Sequence, residues 1–361
     1  MKIDGTHYRS IELNSDGWSV RIFDQRKLPW DLVHVNLTDL EQAALSISEM
    51  WTRGAPLLAA VAAYGFCLGL RADPSDDGVA RAYDTLLATR PTAINLRWAL
   101  DEMASAVKPY QGEERIAAAY KRAGEICDED VEINRNIGLN GLPLLRKMSR
   151  DKGGKTLNIL THCNAGWLAT VDYGTITSPI YMAHDEGLNI HVWVDETRPR
   201  NQGALLTAYE LQQHGVPHSV IADNAGGHLM QKGEVDLCLV GTDRVTRNGD
   251  VCNKIGTYLK ALAAKDNDVP FYIALPYPTI DYSMQSGDLI PIEQRDGREV
   301  THMSGVNASG EVEEFKITRS GAANPAFDVT PARLVSGYIT ERGILKKVCD
   351  GESNNPVFME I

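Results

Sequence analysis

The chain has 361 residues, with 36 Lys+Arg against 48 Asp+Glu and a formal net charge of −12. That length predicts two domains rather than one, and a hydrophobic share of 43% supplies ample core and excludes a low-complexity disordered chain. The acid excess excludes general affinity for nucleic acid or anionic membrane, which both call for basic surface, but leaves open a small anion held by a few local donors.

Residues 7–37 read as extended, with Trp18, Val20, Ile22 and Phe23 marking a short strand and residues 24–29 a turn. Helical patterns follow at 40–50, 56–70, 79–88, 91–107 and 111–138, the last ending at Gly138. Pro56 and Pro91 each stand where a helix would open, a position at which the missing N–H costs nothing. The stretch 55–70 is nearly all apolar. It is shorter than the ~18–20 residues a bilayer needs and contains Pro56, Tyr64 and Gly65, so it predicts a buried core helix. The N-terminal 14 residues are polar, which predicts no signal peptide.

From residue 155 the rhythm changes. Short apolar strands at 155–160, 189–194, 218–221, 235–240 and 270–275 alternate with helices at 176–186, 203–214, 225–232 and 254–265, the second helix ended by Gly215. This alternation predicts βαβ units and a parallel sheet. The division falls near Gly138 and Gly141, giving a mostly helical domain over 1–135 with a small β element and an α/β domain over 136–361. Six cysteines at 67, 127, 163, 238, 252 and 349 form no C-x-x-C pair and no zinc spacing, which reads as a reduced, cytoplasmic protein.

Ligands of open parallel sheets bind beyond the carboxyl ends of the strands. Those ends run into Thr161-His162-Cys163-Asn164-Ala165-Gly166, Asp195-Glu196-Thr197-Arg198-Pro199, Ala222-Asp223-Asn224, Gly241-Thr242-Asp243-Arg244 and Pro276-Tyr277-Pro278-Thr279. Every exit is small, polar or ionisable, which predicts one crevice built from five loops. No G-x-G-x-x-G and no G-x-x-x-x-G-K-[ST] occurs, and the Gly-rich 224–228 lacks the dinucleotide spacing.

Several segments in order resemble the methylthioribose-1-phosphate isomerases. They are Arg53-Gly54-Ala55-Pro56; Arg90-Pro91-Thr92-Ala93-Ile94-Asn95-Leu96; Thr161-His162-Cys163-Asn164-Ala165-Gly166 with Tyr173-Gly174-Thr175; Glu196-Thr197-Arg198-Pro199 with Gln202-Gly203-Ala204; Gly241-Thr242-Asp243-Arg244 with Asn253-Lys254-Ile255-Gly256-Thr257; and Asn324-Pro325-Ala326-Phe327-Asp328-Val329-Thr330-Pro331. The resemblance runs from Asp24 to about Gly343. It implies a small N-terminal domain, a Rossmann-like C-terminal domain and a homodimer. The wider superfamily also holds 5-deoxyribose-1-phosphate isomerases, ribose-1,5-bisphosphate isomerases and regulatory subunits of translation initiation factor 2B. The chain departs from the pattern at Gly226-Gly227-His228, at Gln294 and at Gly297-Arg298, which leaves the 5-substituent open.

The implied reaction turns an aldose 1-phosphate into a ketose 1-phosphate. The anomeric oxygen is esterified, so ring opening needs a proton on the ring oxygen. Hydrogen then moves from C2 to C1 as a proton or as a hydride. Such a site calls for an acid, a second acid/base group, a phosphate clamp and exclusion of water. By the resemblance Asp243 is the general acid/base, and an apolar setting would raise its pKa; the plainer readings are a helix N-cap or an ion pair with Arg244. The resemblance makes Cys163 a base or transition-state stabiliser at C2, against the plainer reading of a small buried cysteine. Arg53 and Arg90, each next to a helix start, are the expected phosphate clamp, against the plainer reading of surface arginines paired with carboxylates. Gln202, Asn253 and Lys254 carry over as substrate contacts, and Gly54 and Ala55 would leave room for backbone approach. Histidines 162, 184, 191, 214, 218 and 228 suggest no metal constellation; His184 and His191 read as structural or exposed, and His228 as a candidate substrate contact. No metal and no organic cofactor is implied. The partner is a small pentose 1-phosphate, with no nucleic acid and no membrane. Methylthio and deoxy sugars differ by little that an apolar pocket can tell apart, and a bisphosphate would need a second cationic clamp. A non-catalytic regulatory subunit is the reading from another class, and the presence of both Cys163 and Asp243 favours the enzyme.

Overall fold

The computed structural model describes residues 1–91, 93–349 and 356–360; Thr92, quoted above within the Arg90 motif, lies outside them. The chain divides into two compact units. The first holds Met1–Arg135 and Ala165–Ser178, the second Asn136–Asn164 and Pro179–Ile361. The segment 165–178 thus joins the first unit, although its sequence position placed it with the α/β domain.

In the first unit, β1 (Ile11–Leu13), β2 (Val20–Phe23) and β3 (His34–Leu37) form an antiparallel meander. Four helices follow: α1 (Leu40–Ser48), α2 (Ala55–Ala72), α3 (Asp76–Thr89) and α4 (Ile94–Val107). Asp39 and Ser75 cap α1 and α3 by accepting first-turn N–H groups. Pro91 does not open α4 as expected. It lies in the turn before the helix, whose N-cap is Ala93. Helix α2 is the centre of the unit, with every residue from Leu57 to Leu70 buried. By length and composition alone it could cross a membrane. Here its apolar surface is taken up by the surrounding protein. Gly65 and Gly69 let neighbours approach closely, because a Cβ at either would stand 2.8–2.9 Å from Ala43 Cβ or Ala82 Cβ.

Helix α5 (Gly112–Asp151) runs 40 residues without a break. Gly138 was expected to end it. Instead Gly138 is buried within the helix, and at Gly141 a Cβ would fall 2.9 Å from Pro179, so Gly141 serves close packing. Pro143 withdraws one helical hydrogen bond, from the carbonyl of the exposed Leu139. Within the first unit, Asp130 on α5 accepts from Val171 N–H at 2.7 Å and from Asn134 Nδ2 at 3.0 Å. Burial pushes its carboxyl up to about 7, against those two hydrogen bonds.

The second unit is built on an eight-stranded sheet. Its strands are β4 (Leu157–Thr161), β5 (Ile190–Asp195), β6 (His218–Ile221), β7 (Leu237–Val240), β10 (Phe271–Ala274), β13 (Gly337–Thr340), β14 (Gly343–Cys349) and β15 (Pro356–Glu360), in the order β15-β14-β13-β10-β7-β4-β5-β6. The six from β13 to β6 are parallel, and β14 and β15 add antiparallel pairs at one edge. The parallel core is as predicted. The sixth parallel strand and the antiparallel edge went unread. The connecting helices are α6 (Thr177–Asp185), α7 (Ala208–His214), α8 (Gly226–Gln231) and α9 (Thr257–Asp266). A second sheet, ordered β11-β8-β9-β12, takes β8 (Arg244–Thr246), β9 (Val251–Lys254), β11 (Ile280–Asp281) and β12 (Phe327–Thr330). Lys254 therefore ends a strand, where the pattern had suggested the first residue of a helix.

Candidate active site

Cys163 stands two residues past β4 with φ of 67°, a left-handed backbone that costs a non-glycine residue energy and recurs at functional sites. Three contacts hold it there. Its N–H donates to Thr197 Oγ1 at 2.8 Å, its carbonyl accepts from Thr207 Oγ1 at 2.8 Å, and its thiol donates to Gln202 Oε1 at 3.2 Å. Thr197 and Asn201 also take positive φ, 65° and 52°. The strain is therefore shared along the loop that faces Cys163. Gln202 is buried and leads into a π-helical turn, Gly203–Thr207, a local widening that is frequent at functional sites. Asn164, the next residue, donates to Thr207 Oγ1 at 3.0 Å and to the buried Glu210 carboxylate at 2.8 Å.

The exit of β7 is pinned differently. Asp243 N–H and Thr242 Oγ1 both donate to the carbonyl of Cys252, at 3.0 and 2.8 Å. Asp243 precedes a strand, so the N-cap reading fails. The Asp243 residue is exposed, which corrects the expected apolar setting. Arg244 pairs with Asp281 at 3.6 Å. Burial pushes the neighbouring Cys252 thiol up to about 12, and the Asp243 charge adds to the shift.

Asn253 and Lys254 lie on β9, opposite Asp328 and Phe327 of β12. Asn253 is buried and donates to Thr257 Oγ1 at 3.0 Å; Lys254 Nζ stands over the Phe327 ring at 4.6 Å. Asp328 accepts from Gly256 N–H at 2.7 Å and Tyr258 N–H at 3.1 Å, capping α9 from outside its own sequence. Burial holds its carboxyl above the usual range despite those two donors.

The remaining predicted residues belong to the first unit. Arg53 is buried. Gly54 is the N-cap of α2 with φ of 95° and no side-chain cap on the helix, and Ala55 is the first helical residue. A Cβ at Gly54 would fall 2.4 Å from Ala169 O, so packing against the 167–169 turn alone requires glycine there. Arg90 is the half-buried C-cap of α3. His228 is exposed on α8. His191 is structural, donating to or accepting from Ser219 Oγ at 3.1 Å beside the Trp193 ring.

Sequence reasoning missed the groups behind Cys163. His162, Asp195 and Asp223 gather as metal ligands would, and Lys260 Nζ stands 3.0 Å from Asp195 Oδ2. A signal for Lys260 was present. It shares the core-facing stripe of α9 with Thr257, Ala261 and Ala264, where a lysine is out of place unless paired.

A family model for the Initiation factor 2 subunit family matches residues 52–347. The chain is 62% identical over 354 residues to a methylthioribose-1-phosphate isomerase of Paramagnetospirillum magneticum, covering 97% of this chain and 98% of that one. It is 58% identical to the protein of the same name in Escherichia coli, covering 95% and 93%. Among solved structures it is similar to 5-methylthioribose 1-phosphate isomerase from Pyrococcus horikoshii OT3, with a TM-score of 0.81 at 37% identity over 94% of this chain and 93% of that one. It is also similar to the delta subunit of translation initiation factor eIF-2B from A. fulgidus, with a TM-score of 0.79 at 35% identity over 94% and 96%.

Proposed function

The chain belongs to the Initiation factor 2 subunit family, and we propose that it is the isomerase that converts 5-methylthioribose 1-phosphate to 5-methylthioribulose 1-phosphate in methionine salvage. The observation that carries this reading is Cys163. A thiol sits at the carboxyl end of a central parallel strand, in a left-handed conformation held by three hydrogen bonds, and donates to Gln202. A core cysteine serving only as filler would need none of this.

The sugar ring opens when a proton reaches the ring oxygen, and Asp243 is the proposed donor and later acceptor. The proton it gives to the ring oxygen is made good when it accepts the C2 hydroxyl proton as the ketone forms, so the cycle closes without net exchange. Cys163 assists transfer at C2 as base or as stabiliser of the charge that develops, and Gln202, which accepts from the thiol, orients it. Arg53 and Arg90 are proposed to bind the phosphate, through the planar fork that favours two parallel hydrogen bonds. The uncapped N–H groups that follow Gly54 add donors of the right sign. Asn253 and Lys254 are proposed substrate contacts. A homodimer and cytoplasmic residence belong to the same reading, and sedimentation and fractionation test them.

The direct test is turnover of the purified protein on 5-methylthioribose 1-phosphate and 5-deoxyribose 1-phosphate side by side, with Cys163→Ser as control. Turnover lost in the control supports the isomerase, and the ratio of kcat/KM values names the preferred sugar. No turnover of either, in a protein that associates stably with a translation factor assembly, would put the regulatory reading in its place.

A further inference from the structure

His162 is fully buried, and both of its ring nitrogens face acceptors: Nδ1 lies 2.8 Å from Asp195 Oδ2 and Nε2 lies 2.8 Å from the carbonyl of Ile255. Lys260 Nζ is 3.0 Å from Asp195 Oδ2 and donates to the Asp223 carbonyl. The Asp223 carboxylate lies 4.0 Å from His162 Nδ1 and accepts the N–H groups of Thr197 and Arg198, both at 2.7 Å. Thr197 in turn holds the Cys163 N–H. The contacts thus close a ring through the ends of three strands and the start of α9, in which the Lys260 ammonium and the His162 ring face the Asp195 and Asp223 carboxylates. The fold makes room for this. A Cβ at Gly226 would press on the Lys260 stem at 3.1 Å, and one at Gly256 would stand 2.9 Å from the His162 ring at the opposite side.

We propose that this ring is the positioning device of the Cys163 site, with Lys260 supplying internally the cation that His162, Asp195 and Asp223 would otherwise draw from solution. His162 is its pivot. Through Asp195 it ties the end of β4, which leads into Cys163, to the end of the neighbouring β5. Through Ile255 it fixes the segment that carries Asn253 and Lys254. Neither His162 nor Lys260 touches substrate in this scheme. They are positioning residues, and the proposal rests on the isomerase reading only for the kinetic part of its test.

The test has an arm that needs no substrate. Alkylation by iodoacetamide is followed at each cysteine by mass spectrometry in the wild type, Lys260→Met, His162→Gln and His162→Asn. Loosening the ring is expected to raise the Cys163 rate at least about fivefold in Lys260→Met and His162→Gln, with Cys67 and Cys252 unchanged. An unchanged Cys163, or a parallel rise at all three, overturns the proposal. The kinetic arm separates the two halves of the pivot. Glutamine places its amide nitrogen near Nε2 and keeps the Ile255 bond, whereas asparagine places it near Nδ1 and keeps the Asp195 bond. His162→Gln is expected to lower kcat about tenfold or more with KM little changed, and His162→Asn to raise KM with kcat little changed. Equal losses in both parameters for both variants would overturn the pivot. Addition of ethylammonium to Lys260→Ala restores activity if the missing element is a cation, and sodium chloride at the same ionic strength does not. Loss of wild-type activity on chelation, restored by a divalent metal, would refute the internal cation. If the wild type turns over neither sugar, the isomerase reading fails and the alkylation arm still decides the ring.

Discussion

Asp130 makes the stability of this protein depend on pH in a sense opposite to that of most carboxylates. Its carboxyl is raised by burial from an ordinary 3.8 to about 7 in the folded protein. A raised acid binds its proton more tightly when folded, so its contribution to stability is fully present below about pH 4 and is lost as pH rises through 7. At ~1.4 kcal/mol per pH unit, discounted for the water that reaches a half-buried side chain, charging Asp130 costs on the order of 1–2 kcal/mol. The informative substitution is Asp130→Asn. The new amide oxygen still accepts from Val171 N–H, and its NH2 donates to Asn134 Oδ1, a buried atom with no hydrogen-bond partner, once the Asn134 amide turns over. Urea unfolding followed by tryptophan fluorescence reports mainly on this unit, because Trp18, Trp30, Trp51, Trp98 and Trp167 belong to it and Trp193 alone does not. Between pH 5 and pH 8.5 the variant should gain on the wild type by about 1 kcal/mol, the share of that cost which falls above pH 5. Parallel stability curves over that range would show that Asp130 titrates as it does in the unfolded chain, and the reasoning from burial would fail.

Asp243→Asn should lower kcat by about 10²–10⁴ with KM within a few fold, as expected for loss of a general acid/base; near-normal kcat removes Asp243 from that role. Arg53→Ala should raise KM for the phosphorylated sugar by about tenfold to a hundredfold, the worth of a charge-assisted hydrogen bond, and an unchanged KM would show that phosphate is bound elsewhere. Phe66→Ala, at a fully buried position on α2, should cost about 3–5 kcal/mol of unfolding free energy; a loss below 1 kcal/mol would mean that the helix packing collapses around the gap. Asp328→Ala removes the two bonds that cap α9, and should lower stability by about 1–2 kcal/mol while raising KM through Asn253 and Lys254. A lower stability with KM unaltered would make Asp328 a cap and nothing more.

The strand–helix alternation after residue 155 was legible because each parallel strand is a short, wholly apolar run that exits into polar residues, as at Val240 into Gly241-Thr242-Asp243. The edge strands were not, because β14 carries Lys346 and Lys347 and lacks such a run. Helix α5 defeated a local rule. Gly138 and Gly141 look like breakers in sequence, but both lie inside the helix, and Gly141 is small because Pro179 comes close. The Cys163 and Gln202 pairing was foreseen as two separate contributions, and the structure joins them through one hydrogen bond. Lys254 was misassigned because the apolar face of α9 continues smoothly from Ile255. Lys260 escaped notice because its partners, Asp195 and Asp223, come from the ends of other strands, at sequence distances no local pattern spans.

Helix α2 has a consequence for synthesis. Its apolar surface is covered by α1, already made, and by α3 and α4, which leave the ribosome later. Until Val107 has emerged, an 18-residue segment apolar enough to enter a bilayer stands without its cover. Nascent chains of that length are therefore the form most exposed to aggregation or mistargeting, and truncations that end before α4 should be recovered with chaperones or membranes.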